Sequence, residues 1–296
     1  MLSMRKQVGR VLSLTAVAAL VTAALAGVLA MAGPIEAPRP SSAASPTRSD
    51  SLDHGLARLL GISGHLRAIT VVPDAPRPQA FEAPDGAPVS VLSLVPLSAK
   101  LGSTWRGYHV GYWPGERAVR NRARYALPAG FLEVTPDNED LPLSTHFRVR
   151  DFLTHDQQGT WPKVLVIQLP LLDKLELISA ELVRLGKTAD LRVMSGFRTP
   201  QYNALGVGPR GGRARDSRHM YGDAADIFLD ADGDGRMDDL NGDGRIDVKD
   251  AQWLAAVADR VEQANPAVTG GIGVYRANGA HGPFVHVDTR GSRARW

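Results

Sequence analysis

Two stretches decide how this chain is read: Ser217-Arg218-His219-Met220-Tyr221-Gly222-Asp223-Ala224-Ala225-Asp226-Ile227 and, further along, Gly282-Pro283-Phe284-Val285-His286-Val287-Asp288. Asp226 lies in Ala224-Ala225-Asp226-Ile227-Phe228-Leu229, an apolar run of strand character. A carboxylate buried there is costly unless it meets a cation. In the second stretch, strand alternation sets Phe284, His286 and Asp288 on one face and Val285 and Val287 on the other. His219, Asp226 and His286 together supply imidazole nitrogens and a carboxylate oxygen. This is the donor set of a hydrolytic zinc site, in which three protein ligands leave a position for water. Asp288, on the face of His286, is placed to orient that imidazole or to assist in proton transfer.

Working outward, Pro170 to Gly186 carries apolar residues at helical spacing, with Pro at its start and Gly at its end. Leu191-Arg192-Val193-Met194 reads as a strand that delivers the loop Ser195-Gly196-Phe197-Arg198-Thr199-Pro200-Gln201-Tyr202-Asn203. Arg198 is the substrate-binding candidate there, because a planar guanidinium suits a carboxylate or peptide carbonyl.

The order His219-x-x-Gly222-x-Ala224-x-Asp226, then a strand bearing the last His, resembles the zinc D-Ala-D-Ala carboxypeptidase and murein endopeptidase family. Ser195-Gly196-Phe197-Arg198-Thr199 resembles that family's Ser-Gly-Tyr-Arg-Thr segment, and Leu143-Ser144-Thr145-His146-Phe147 with Asp151-Phe152 resembles the start of its domain. The likeness covers roughly residues 144 to 296. It implies an α+β domain with a small antiparallel sheet and flanking helices around zinc, hydrolysing peptide bonds of cell-wall peptidoglycan. Several members place an acid three residues before the last His, or a His two before it; Pro283 and Phe284 stand there in this chain. The proton shuttle then falls to Asp288 or to His281. Two other functions stay open: a noncatalytic cell-wall-binding protein that keeps the pocket, and a calcium-dependent adhesion module.

Directly after the Asp226 run comes an acidic insertion, residues 230–250, with two overlapping EF-hand-like patterns. In the fuller one, Asp239, Asn241, Asp243, the carbonyl of Arg245 and Asp250 fall at ligand positions, in the manner of dockerin-type loops. In the other, Asp230, Asp232 and Asp234 fall at ligand positions without an acid at the last one. Calcium takes about six to eight oxygens, and so dense a run of carboxylates repels itself without a cation. Calcium is therefore a second expected cofactor.

The remaining chain supplies context. Residues 1–33 join Arg5, Lys6 and Arg10 to an apolar run from Val11 to Gly33, reading as a signal peptide or membrane anchor. Ala30-Met31-Ala32 offers a cleavage-like site, while the run is long enough to span a bilayer, which needs about 20 residues. Either way the rest is expected to be exported to the periplasm or cell envelope, with residues 11–33 holding it at the inner membrane if uncleaved. Residues 34–55 form a Pro-, Ala- and Ser-rich linker, and 56–143 a small β-rich accessory region whose Trp105, Tyr108, Tyr112 and Trp113 are either a glycan-binding face or a sheet core. The peptidase-like domain is 144–296. With 34 basic and 31 acidic residues, and basic clusters at Arg210–Arg218 and Arg290–Arg295 read as solvated surface, nucleic acid is not an expected partner. The chain has no Cys, so neither disulfides nor thiolate chemistry enter.

Overall fold

The structure, a computed structural model, describes residues 66–71, 79–82, 88–117, 125–209 and 211–296. The expected targeting segment and linker, residues 1–33 and 34–55, lie outside the described residues. Among the described residues no helix is long and apolar enough to cross a membrane.

The upstream part is built of short strands. β1 (Leu66–Val71) pairs in parallel and β2 (Gln79–Glu82) antiparallel with β3 (Pro88–Pro96). A tight hairpin follows, β4 (Thr104–Trp105) and β5 (Tyr108–His109). The end of β3 then pairs with β6 (Gly130–Val134), and β6 with β7 (Lys163–Leu165), so a strand from beyond residue 143 completes this mixed sheet. Tyr108 and Trp113 are buried and belong to the hydrophobic core. Trp113 Nε1 donates to the Met220 carbonyl at 2.6 Å, and its ring stacks on Phe197 with centroids 6.4 Å apart. Trp113 thereby braces the loops that carry Arg198 and His219.

The downstream part begins with α1 (Leu169–Arg184), started at Pro170 as the sequence predicts. Its spacing turns Leu171, Leu172, Leu175, Ile178 and Leu182 inward. β8 (Leu191–Ser195) leads to α2 (Pro200–Leu205), whose start is capped by the Thr199 side chain accepting from Tyr202 N at 3.0 Å. β9 (Ala224–Leu229) carries Asp226, and the acidic insertion leads from it into α3 (Val248–Ala264). β10 (Gly271–Tyr275), β11 (Phe284–Asp288) and β12 (Ala294–Arg295) complete a sheet of order β12-β10-β11-β9-β8. Helices with small antiparallel and mixed sheets fit the expected α+β class.

One face of this sheet is apolar: Ala225, Ile227, Val285, Val287 and Ile272 are buried in the core, and α3 packs on β10, on β11 and on α1. The period of two that sends these residues into the core sends Asp226 and His286 to the opposite face. Between the helices, Lys174 and Glu262 form a fully buried ion pair, and Lys174 Nζ also donates to the Asp288 carbonyl at 2.7 Å. The pair thereby ties both helices to the strand that bears His286.

Candidate metal centre

β9 runs antiparallel to β11 in a register that places Asp226 directly opposite His286. On its other side Asp226 is opposite Ser195, at a register shift between Val193 and Ser195 in β8. Two strand neighbours therefore bring the last His and the Arg198 loop to the same carboxylate. His219 arrives from the 3₁₀ turn Arg218–Tyr221 immediately before β9. That turn closes at Gly222 with φ of 72°, and a Cβ there would strike the Val166 backbone. The glycine thus permits both the reversal and the close approach that return the chain into β9.

The three side chains converge. His286 Nδ1 lies 3.0 Å and His219 Nε2 3.3 Å from Asp226 Oδ1, and the two nitrogens are 3.2 Å apart. All three residues are buried. The outward atoms of the imidazoles are already engaged: His219 Nδ1 faces the Gly196 carbonyl at 2.7 Å, and His286 Nε2 faces Asp288 Oδ2 at 3.2 Å. A proton on each outward nitrogen satisfies these contacts, and the hydrogen-bond network assigns it there. In the neutral imidazoles two nitrogen lone pairs and a carboxylate oxygen then face one another in a buried space. That arrangement is repulsive unless a cation sits among them, and it matches the orientation rule for metal-ligating His. The buried group His219, Asp226 and His286 can hold a metal ion.

The electrostatics agree with this reading for Asp226 and His219, while His286, without an ion, is shifted toward its protonated form. Burial acts to raise the Asp226 carboxyl, but His219, His286 and Arg198 outweigh it and keep it well below the carboxylate range. Burial lowers His219, with Arg198 adding to the effect against the pull of Asp226, so its imidazole is kept neutral as a ligand requires. His286 is also subject to burial, yet its hydrogen bonds to Asp226 and Asp288 prevail and raise it.

The other expected site residues fall in distinct places. Arg198 pairs through Nη2 with Asp226 Oδ2 and donates from Nε to Ser195 Oγ at 2.8 Å. It holds the Asp226 carboxylate, where the sequence suggested that it would meet substrate. Asp288 is completely buried: Oδ1 accepts from Gly271 N at 2.8 Å and from Arg290 Nε at 2.8 Å, while Oδ2 takes His286 and the Arg290 guanidinium. Its contacts are those of a positioning residue for His286. His281 is tied to its own loop, with Nε2 2.8 Å from Asn278 Nδ2 and Nδ1 2.8 Å from the Gly282 carbonyl.

In the acidic insertion, Asp230 and Asp232 come together with Asp238 rather than with Asp234. Asp239, Asp243 and Asp250 are not drawn into a group of that kind among the described residues. Instead Asp250 Oδ1 accepts from Leu240 N at 2.9 Å and Oδ2 from Asp247 N at 2.8 Å, closing a capping box at the start of α3. Asp239 takes the backbone of Gly242, Asp243 and Gly244; Asn241 takes that of Asp243; and the Arg245 amide donates to Asp243 Oδ1.

Three contributors escaped the sequence reading. The Gly196 carbonyl carries no sequence signal, because any residue has one. Arg290 lies beyond the end of β11 and turns back onto Asp288, which strand alternation does not predict. Trp296 lies with its ring 5.3 Å from that of His286, held by a hydrogen bond from Nε1 to Tyr275 Oη at 2.8 Å and by backbone pairing of its amide and carbonyl with β10.

None of the protein-family models, curated proteins or solved structures compared with the chain matches it.

Proposed function

We propose that the chain is a zinc-dependent peptidase acting on peptide bonds of cell-wall peptidoglycan, as a D-Ala-D-Ala carboxypeptidase or a murein endopeptidase. The observation that carries the proposal is the convergence of His219 Nε2, Asp226 Oδ1 and His286 Nδ1 on one buried point, with each outward imidazole nitrogen committed elsewhere. Two imidazoles and one carboxylate form the zinc donor set of many hydrolases, and the four-segment likeness noted in the sequence supports the same substrate class. Zinc held there would supply a Lewis acid for the scissile carbonyl and acidify a bound water to a pKa of about 7.

The chain's own residues account for the rigidity such chemistry requires. Arg198 fixes Asp226, the Gly196 carbonyl fixes His219, and Asp288 with Arg290 fixes His286. The Trp296 ring lies against that of His286. An exported protein, delivered by residues 1–33, would meet peptidoglycan where this chemistry is useful.

One structural feature favours a second reading, a cell-wall-binding protein that retains the pocket without turnover. Asp288 is fully engaged in orienting His286, and the contacts of His281 are with its own loop, so neither offers a carboxylate or imidazole turned to a reacting group. Incubating the zinc-loaded protein with purified peptidoglycan and weighing the released fragments separates the two. Release of D-alanine or of resolved cross-links supports the peptidase. Binding to intact peptidoglycan with no change in fragment masses supports the alternative and removes the enzymatic proposal.

A further inference from the structure

The peptidase reading leaves one feature unused, the acidic insertion between β9 and α3. Within it the structure separates two parts that look alike in sequence. From Asp239 to Asp250 the carboxylates are occupied: Asp250 accepts backbone N–H groups on both oxygens, Asp239 accepts three, and Asp243 Oδ2 pairs with Lys249 Nζ at 2.8 Å. That segment is a self-satisfied turn that caps a helix.

From Asp230 to Asp238 the same kind of backbone bonds form, with Asp232 Oδ1 accepting from Asp234 N at 3.1 Å and Asp238 Oδ2 from Ala231 N at 2.9 Å, but Asp230 is left with one oxygen over. Carboxylate oxygens of Asp230, Asp232 and Asp238 all lie within 4.8 Å of one another. Asp230 is only 4% exposed, and its Oδ1 accepts no hydrogen bond from the described residues. Its Oδ2 takes Gly235 N at 3.3 Å and stands 3.6 Å from the Nε of Arg192. A buried carboxylate with one oxygen unsatisfied, set beside two further carboxylates, is costly as it stands, by desolvation and by repulsion together. A cation removes both costs at once. The donors are all oxygen, with no imidazole, which selects a hard ion of the calcium type over zinc.

The position of this cluster gives it a mechanical role. The turn is sewn to the end of β9 and to the start of β8 by Asp238 N donating to the Leu229 carbonyl at 3.0 Å and Asp230 N to the Asp190 carbonyl at 3.1 Å. Met237 and Leu240 are buried in the core behind it. β9 is the strand that presents Asp226 four residues earlier.

We propose that Asp230, Asp232 and Asp238 bind one calcium ion, and that this ion clasps the end of β9 and thereby holds the strand that presents Asp226. The site shares no residue with the buried His219, Asp226 and His286 group, and its test reads calcium binding.

Calorimetric titration of calcium into the zinc-loaded full chain is expected to show about one site in the wild type. Affinity falls at least tenfold in Asp238→Asn, while Asp243→Asn leaves it unchanged. No calcium binding by the wild type, or loss in Asp243→Asn with retention in Asp238→Asn, overturns the assignment. The clasp is read on the wild type by hydrogen exchange with and without calcium. Slower exchange across Ala224–Leu229 is expected, whereas protection confined to residues 230–238 overturns the coupling to β9. Calcium binding with the expected variant pattern but no peptidoglycan cleavage would remove the peptidase and leave this site standing.

Discussion

Asp288 and His286 meet through Oδ2 and Nε2 at 3.2 Å, on the side of the imidazole turned away from Asp226. The contact fixes which nitrogen of His286 is free to ligate. It rests on further support, because Arg290 and the Gly271 amide hold the same carboxylate in place and Lys174 holds its backbone carbonyl.

Asp288→Asn tests that relationship. An amide in place of the carboxylate weakens the hold on the Nε2 proton and leaves the Arg290 guanidinium without its ion pair. Zinc affinity is expected to fall by about 10- to 100-fold, the range for loss of an outer partner of a ligating His. Competition with a chromophoric chelator measures it. A residue acting only as a proton shuttle would leave zinc affinity unchanged and lower turnover alone.

Gly222→Ala tests the turn that returns the chain from His219 to β9. The residue sits at φ of 72°, and an added Cβ would meet the Val166 backbone. The loss of stability is expected to exceed about 1 kcal/mol, because Ala at a positive φ costs more than the gain it brings where the backbone suits it. Urea unfolding of the variant against wild type gives the value.

Lys174→Met removes one member of the buried pair with Glu262. The remaining carboxylate keeps Arg295 and the Gly270 amide but loses its buried cation. A cost of about 3–5 kcal/mol is expected from breaking a buried pair on one side only. Glu262→Gln added to it is expected to restore part of that loss, and the same unfolding measurement compares the two.

Much of this arrangement was legible in the sequence, and the reason is periodicity. The strand around Asp226, the strand from Phe284 to Asp288, and the helix opened by Pro170 each follow a local repeat that short-range sterics enforce. Alternation also placed His286 and Asp288 on one face, as found. What alternation cannot give is the non-local part. Nothing in the residues states that Asp226 pairs with His286 in register, or that Arg290 and Gly271 consume the oxygens of Asp288. Arg198 shows the same limit: a guanidinium suited to a substrate carboxylate is equally suited to the protein's own Asp226.

The acidic insertion differs for another reason. Spacing of every second residue pointed to Asp230, Asp232 and Asp234, but the chain reverses at Gly235, with φ of 79°, and brings Asp238 back to the first two. Upstream, composition could not separate an aromatic binding face from an aromatic core. Both Tyr108 and Trp113 are core, and Trp113 is so because the loops carrying His219 and Arg198 lie against it.

The central claim is that His219, Asp226 and His286 together bind one metal ion. Metal analysis after zinc loading and gel filtration tests it most directly, on the wild type beside His219→Ala and Asp226→Ala. About one zinc per chain in the wild type, lost from both variants while their folded spectra persist, is the outcome expected from three ligands sharing one ion. A wild type that leaves the column without stoichiometric zinc, or variants that keep it, would contradict the account.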